Sequence, residues 1–171
     1  NAREEYGSTP LMFAARNNSS VEVLKALLAA GAEVEARDKA GSTPLMYAAG
    51  INSSVEVLKA LLAAGAEVEA RDTAGSTPLM WAARINSSVE VLKALLAAGA
   101  EVEARDTDGW TPLMLAAALN TSQEILLALM GAGANVKARS EEGKTALEYA
   151  KENDKLYQTK AYWKLNDLTF Q

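Results

Sequence analysis

The sequence predicts an all-α fold, a solenoid of helix–turn–helix units each followed by a protruding hairpin-like loop. Three observations carry this. The stretch NSSVEVLKALLAAGAEVEARD occurs three times without a change, at 18–38, 52–72 and 86–106. The copies start 34 residues apart, and a period of that size marks stacked repeats. Apolar residues make up 49% of the chain and aromatics only 6%, so the core-forming content is dominated by Ala and Leu, which favours helices over a large sheet.

The stretches between the copies keep the period. GSTPLMFAARN begins at Gly7, GSTPLMYAAGI at Gly41, GSTPLMWAARI at Gly75, GWTPLMLAAAL at Gly109 and the diverged GKTALEYAKEN at Gly143. The expected units are therefore 7–40, 41–74, 75–108 and 109–142, with a C-terminal cap at 143–171, all within one domain spanning 1–171.

Each element has a local reason. Thr43-Pro44 opens a first helix: Thr caps it, and Pro at its first position gives up an N–H that has no partner there. Leu45, Ala48 and Ala49 form a small apolar face that lets a neighbouring helix come close. Asn52 and Ser53 end this helix, and Ser53-Ser54-Val55-Glu56 fits a capping box for the next. Val57, Leu58, Leu61 and Leu62 make one buried stripe. Gly65 supplies a left-handed stop. Asp72 to Gly75 forms a turn-prone tip between short extended arms.

Composition narrows the chemistry. With no His, Ser-His-Asp and Cys-His machinery and the usual zinc ligand sets are excluded. With no Cys, disulfides, thiol catalysis and thiolate metal sites are excluded too. No cofactor is called for, and no clustered, non-repeating set of polar residues suggests an enzyme. A formal charge of −5 argues against nucleic acid or an anionic membrane as partner. Localisation is left open: the chemistry suits a cytoplasmic or a recombinant protein.

GSTPLMYAA, ALLAAGA and RDTAG together resemble the ankyrin repeat family, whose pattern has a Gly-x-Thr-Pro-Leu-His start, a Leu-Leu helix ending in Gly-Ala and an Asp-x-x-Gly loop. Two departures stand out. The period is 34 rather than the commoner 33, with Asn-Ser-Ser where a Gly-His turn is usual. The motif His is replaced by Met12, Met46, Met80 and Met114, which are expected to pack in the core and nothing more. The resemblance implies a protein-binding scaffold, non-enzymatic, that contacts its target through loop tips and the concave side of the first helices.

The positions that vary occupy those slots. The tips carry Glu5-Tyr6, Lys39-Ala40, Thr73-Ala74 and Thr107-Asp108. Trp110 stands where other units have Ser8, Ser42 and Ser76. The first helices carry Phe13, Tyr47, Trp81 and Leu115, and their ends carry Arg16, Ile51, Arg84, Ile85 and Leu119. Meanwhile Lys25, Lys59 and Lys93 on the second helices are identical. The expected partner site is thus Phe13, Arg16, Lys39, Tyr47, Ile51, Thr73, Trp81, Arg84, Ile85, Asp108, Trp110, Leu115 and Leu119, with Trp110 having little framework reason to be aromatic. A fixed framework with one varied face looks like an engineered consensus or library-derived ankyrin protein. A natural bacterial interaction protein with recently duplicated units, and a stability design without a target, are the alternatives.

Other patterns read as structure. Glu33, Glu67 and Glu101, and Glu35, Glu69 and Glu103, read as a solvated acidic edge. Arg37-Asp38, Arg71-Asp72 and Arg105-Asp106 read as cross-links between loops. The Asn-x-Ser sequons at Asn18, Asn52, Asn86 and Asn120 read as helix-start turns rather than glycosylation sites. Tyr162, Trp163, Leu165 and Phe170 are expected to fold over the last Leu face. The chain begins inside a loop, aligning Asn1-Ala2-Arg3 with Glu35-Ala36-Arg37, so an outward Val23, Leu24 and Leu27 set is expected to lack a cap and to favour self-association. Because local signals and global pattern agree in every unit, thermal unfolding is expected above the roughly 45–65 °C range of ordinary mesophile domains. A melting midpoint inside that range would contradict the idealisation.

Overall fold

The computed structural model describes residues 6–17 and 20–171. Among them are ten helices: α1 Pro10–Asn17, α2 Val21–Ala29, α3 Pro44–Gly50, α4 Val55–Ala63, α5 Pro78–Ile85, α6 Val89–Ala97, α7 Pro112–Leu119, α8 Gln123–Gly131, α9 Ala146–Glu152 and α10 Lys160–Phe170. Two layers result. The first helices α1, α3, α5, α7 and α9 pack in series, as do the second helices α2, α4, α6, α8 and α10, and each pair closes on itself. The paired alanines do what their size allows. Ala48, Ala49, Ala82, Ala83, Ala116 and Ala117 are fully buried between first helices. The Leu stripe of the second helix, Leu58, Leu61, Leu92 and Leu95, fills the space between layers. The expected extended arms do not form strands among the described residues. The loops instead join by one backbone bond per step, such as Thr73 N–H to Ala40 O at 2.9 Å and Thr107 N–H to Ala74 O at 3.0 Å.

The Thr caps form as read, with one addition. Thr43 Oγ1 accepts the Met46 N–H at 3.4 Å, while the Met46 sulfur accepts the Thr43 N–H, also at 3.4 Å. Thr9 with Met12 and Thr77 with Met80 repeat the arrangement. A thioether is a weak acceptor, but here it satisfies a helix-start donor that is cut off from water. Met therefore does more than pack. In the cap unit Glu148 takes the same place and accepts the Thr145 N–H at 2.7 Å. The cap of α4 differs from expectation: the N-cap is Ser54, and its hydroxyl donates to Glu56 at 3.0 Å rather than reaching forward to a backbone N–H, whereas in α6 Ser88 also accepts the Val91 N–H at 3.4 Å. Gly65 ends α4 with φ +92°, as a left-handed stop requires.

The repeats are tied together by side chains that bond to a neighbouring unit's backbone. Asn86 is 4% exposed, and its amide donates to Ala49 O at 2.7 Å and Asn52 O at 2.9 Å. Its own oxygen accepts the Ser88 N–H at 2.8 Å, which sets the start of α6. Asn120 bonds Ala83 O and Asn86 O in the same way, and Asn153 bonds Ala117 O and Asn120 O. Asn52 donates to Ala15 O at 2.9 Å. The result is a buried ladder of amides. Asn18, the first member by sequence, lies outside the described residues. On the loop side, Glu35, Glu69 and Glu103 accept the backbone N–H of Glu67, Glu101 and Asn135 at 2.8–3.0 Å. The acidic edge is thus a set of staples and not only a solvated surface. Arg37, Arg71 and Arg105 each donate to a carbonyl of their own loop and to one 34 residues on, in the case of Arg71 to Gly75 O at 2.8 Å and Arg105 O at 2.7 Å. Loops are cross-linked as expected, but Arg71 and Arg105 use carbonyls, not aspartates.

The ends depart from the sequence reading in two places. Leu24 is fully buried and faces its own pair, whereas Val23 is 44% exposed and Leu27 half-buried. Only the latter two belong to an open face. Asn1-Ala2-Arg3 lies outside the described residues. At the other end Leu156, Ala161, Tyr162 and Leu165 are buried against α8 and α9, but Trp163 and Phe170 are 51% and 76% exposed. Trp163 meets Tyr162 edge to face, with ring centroids 5.2 Å apart. One turn of a helix has room for one inward aromatic, and Tyr162 takes it. Asn86→Ala should lower the stability of the fold by about 2–3 kcal/mol, because two buried carbonyls and one N–H lose their partner together. The exposed neighbour Ser87→Ala should change stability by less than about 0.5 kcal/mol. Paired denaturant melts check both.

Candidate functional site

The varied slots lie on the first-helix layer and its loops. Phe13, Ile51, Ile85 and Leu119 are 38–54% exposed, and Arg16, Lys39, Thr73 and Asp108 are exposed as well. Tyr47, Trp81, Arg84 and Trp110 are half-buried. Geometry couples these positions to one another. The Tyr47 hydroxyl donates to Asp38 Oδ2 at 2.7 Å, and the Trp81 indole N–H donates to Asp72 Oδ2 at 3.0 Å. The other oxygen of each Asp holds the loop, as when Asp72 Oδ1 accepts the Ala74 and Ser76 N–H groups at 2.9 Å. Each ring therefore braces its own loop while keeping part of its face open. Burial first, and the Asp38 carboxylate second, push the Tyr47 hydroxyl up to about 12, so it stays a proton donor throughout the physiological range. Tyr47 and Trp81 meet edge to face with centroids 5.7 Å apart. Gly50 answers to the same packing. A Cβ there would come within 3.0 Å of the Trp81 ring, so the small residue accompanies the large one in the next unit.

The fourth unit breaks the series. Leu115 replaces the ring, and it is 2% exposed, packed with Met80, Ala104 and Trp110. The expectation that Leu115 offers a contact side chain is corrected: an aliphatic branch is too short to pass the loop and becomes a floor. Trp110 leans over it and packs on Tyr149, with centroids 4.2 Å apart. Trp110 therefore has a framework role that the sequence reading missed. Its signal was Tyr149, the only aromatic that the cap unit keeps in the first-helix ring position. Thr73 is also partly committed, since its hydroxyl donates to Ala40 O at 2.9 Å.

Replacing the ring by Leu opens a groove of about 550 Å³ between the third unit and the cap. Leu115, Leu119 and Trp110 give it an apolar base, and Arg84, Asp106, Asp108, Glu141 and Glu142 surround it. Four carboxylates thus face one guanidinium. Asp106 differs from its counterparts. Its Oδ1 accepts the Trp110 N–H at 2.8 Å and the Asp108 N–H at 3.1 Å, holding the loop as before. Its Oδ2 accepts no hydrogen bond from any described residue, because Leu115 has none to give. The Arg84 Nε–H, enclosed beside the groove, also has no partner among the described residues.

The arrangement presents rings, aliphatic side chains, carboxylates and a guanidinium on one face. Among the described residues, no group of three His, Cys, Asp or Glu side chains could hold a metal ion, and no helix is long and apolar enough to cross a membrane. The sequon asparagines 52, 86 and 120 are buried with their amide nitrogens engaged, which leaves no room for a glycan.

Comparison with curated proteins finds no match. A family model described as ankyrin repeats, in three copies, matches residues 1–72, 48–140 and 79–159. Repeats of this kind are generally protein-interaction modules. Helix pairs in two stacked layers, Thr-Pro starts, loop-to-loop bonding and the family match agree, and the chain belongs to the ankyrin repeat family.

Proposed function

We propose that this protein is a binding scaffold without chemistry of its own, holding a folded protein against the first-helix layer and the loop tips. One observation carries the reading. The side chains that differ between units sit on that face with open surface, while the Asn and Arg columns that join the units are constant through the four units and the Glu column through the first three. A stacked framework presents large rings at small entropic cost, since their backbone is already ordered. Nothing in the structure explains why the exposed Lys25, Lys59 and Lys93 are identical, and that identity suits an engineered framework with one face left to be chosen. A natural bacterial interaction protein would share the same face, whereas a pure stability design would show no partner at all.

Against its partner, Trp81→Ala and Trp110→Ala should each weaken binding by about 2 kcal/mol or more, since aromatic anchors dominate interfaces. Lys39→Ala and Asp108→Ala should act mainly on association rate and its salt dependence. Lys59→Ala and Lys93→Ala should be silent. Because Trp81 and Trp110 also brace loops, each variant is checked by thermal melt beside the affinity measurement. Loss at Lys59 and Lys93 with tolerance at both tryptophans would put the site on the other layer.

A second contact surface is favoured by the apolar face around Val23 and Leu27. Val57 and Val91 are covered by the preceding unit, but the equivalent Val23 is 44% exposed beside Phe13 and Leu27, around a hollow of about 470 Å³. We take a second copy of the chain as its occupant. Sedimentation over a concentration series should show self-association that Val23→Glu removes, and a species that stays monomeric throughout contradicts it.

A further inference from the structure

The groove at the fourth unit carries more than a general binding face. We infer that it receives an arginine or lysine side chain of the partner, with the cation at the Asp106 carboxylate and the aliphatic stem along Trp110. This rests on the reading of that layer as the binding face. In the second and third units the outer oxygen of the loop aspartate is filled by the protein itself, by Tyr47 at 2.7 Å and Trp81 at 3.0 Å. In the fourth unit the donor is missing, the space it would occupy is open, and the acceptor stays in place because its other oxygen holds the loop. An unfilled carboxylate oxygen beside an aromatic side chain fits a long cationic side chain, whose head gains a charge-assisted hydrogen bond while its stem covers the ring. Asp108, Glu141 and Glu142 add negative charge at the rim; Lys144 pairs with Glu142 at 3.9 Å, and Arg84 is the one cation that lines the groove itself. A side chain supplies both the cation and an apolar stem for Trp110 and Leu119, whereas a bare cation supplies one.

The probe is Nα-acetyl-arginine amide, titrated into the intact protein while the Trp110 indole N–H and the Asp108 amide are followed by NMR. The isosteric Nα-acetyl-citrulline amide, which lacks the charge, is the control. Saturable shifts with the arginine amide, at least about tenfold weaker with citrulline, are expected. Asp106→Asn keeps an oxygen for the loop but replaces the free one by an amide, and should weaken binding by about tenfold. Leu115→Tyr rebuilds the Tyr47–Asp38 arrangement, so it should fold normally and abolish the shifts. Equal shifts with citrulline, no saturable shift, or unchanged binding by a folded Leu115→Tyr protein overturns the assignment. The two readings fail apart: a partner that depends on Trp81 and Trp110 yet competes with no arginine amide leaves the binding face standing and removes only the cationic anchor.

Discussion

The structure depends on a buried amide that bonds in two directions. A solenoid has no long-range closure, so each unit must be fixed against its neighbour by contacts that repeat at every step. Apolar packing supplies most of the energy but little register, since Ala and Leu surfaces slide over one another. The Asn ladder supplies register. Asn86 reads a carbonyl at the end of the previous first helix and another from the previous Asn, and its oxygen starts its own second helix. One side chain thereby sets the distance between units, the turn within a unit and the helix start. The low dielectric that makes such a network strong also makes it intolerant of partial loss.

The loop side repeats the principle with charge. The Glu column accepts the next unit's N–H, and the Arg column donates to the next unit's carbonyl. The fourth unit has Lys137 at the Glu position, exposed, and the position one period past Asn135 lies within α10 rather than in a loop. The staple thus disappears where it would have nothing to hold. Freed from joining duties, the residues on the first-helix layer and loop tips could differ between units without loosening the stack. Their freedom is not complete, because Tyr47 and Trp81 brace loops and Gly50 makes room for Trp81. The proposed contact face and the framework share side chains there, each ring giving its edge to the loop and part of its face to solvent.

Much of this was legible in the sequence. Helix pairs, Thr-Pro starts, Gly stops and Asp-x-x-Gly tips rest on contacts within a few residues, and those signals survive in one dimension. What escaped depends on groups about 34 residues apart in sequence. The Asn ladder, the Glu staples and the Arg bonds to carbonyls need the stacking distance between units, which no local pattern contains. A sign was present nonetheless. Asn persists at Asn120 and Asn153, where the surrounding letters have diverged, and a helix-start turn alone would have accepted Ser or Asp. The sequence alone gives Met a packing role, because its sulfur is a weak acceptor, and the buried Thr N–H that it satisfies becomes visible only in three dimensions. Leu115 was read as a contact because its column held rings. The space left by the missing ring, and the carboxylate it leaves unfilled, follow from length and could not be read from a column of letters. Trp163 and Phe170 were placed in the cap by hydrophobicity, but helical direction turns them outward.

The central claim is a division of labour, with ladders holding the stack and a varied face held in reserve for binding. A saturation mutagenesis scan read out by proteolytic stability tests it most directly, because it needs no partner. Substitutions at Asn52, Asn86, Asn120, Glu69 and Arg71 should destabilise the fold at nearly every replacement, while Lys39, Ile51, Ile85, Asp108 and Leu119 should accept most residues with little change. Costs at the varied slots equal to those along the ladders would contradict the account.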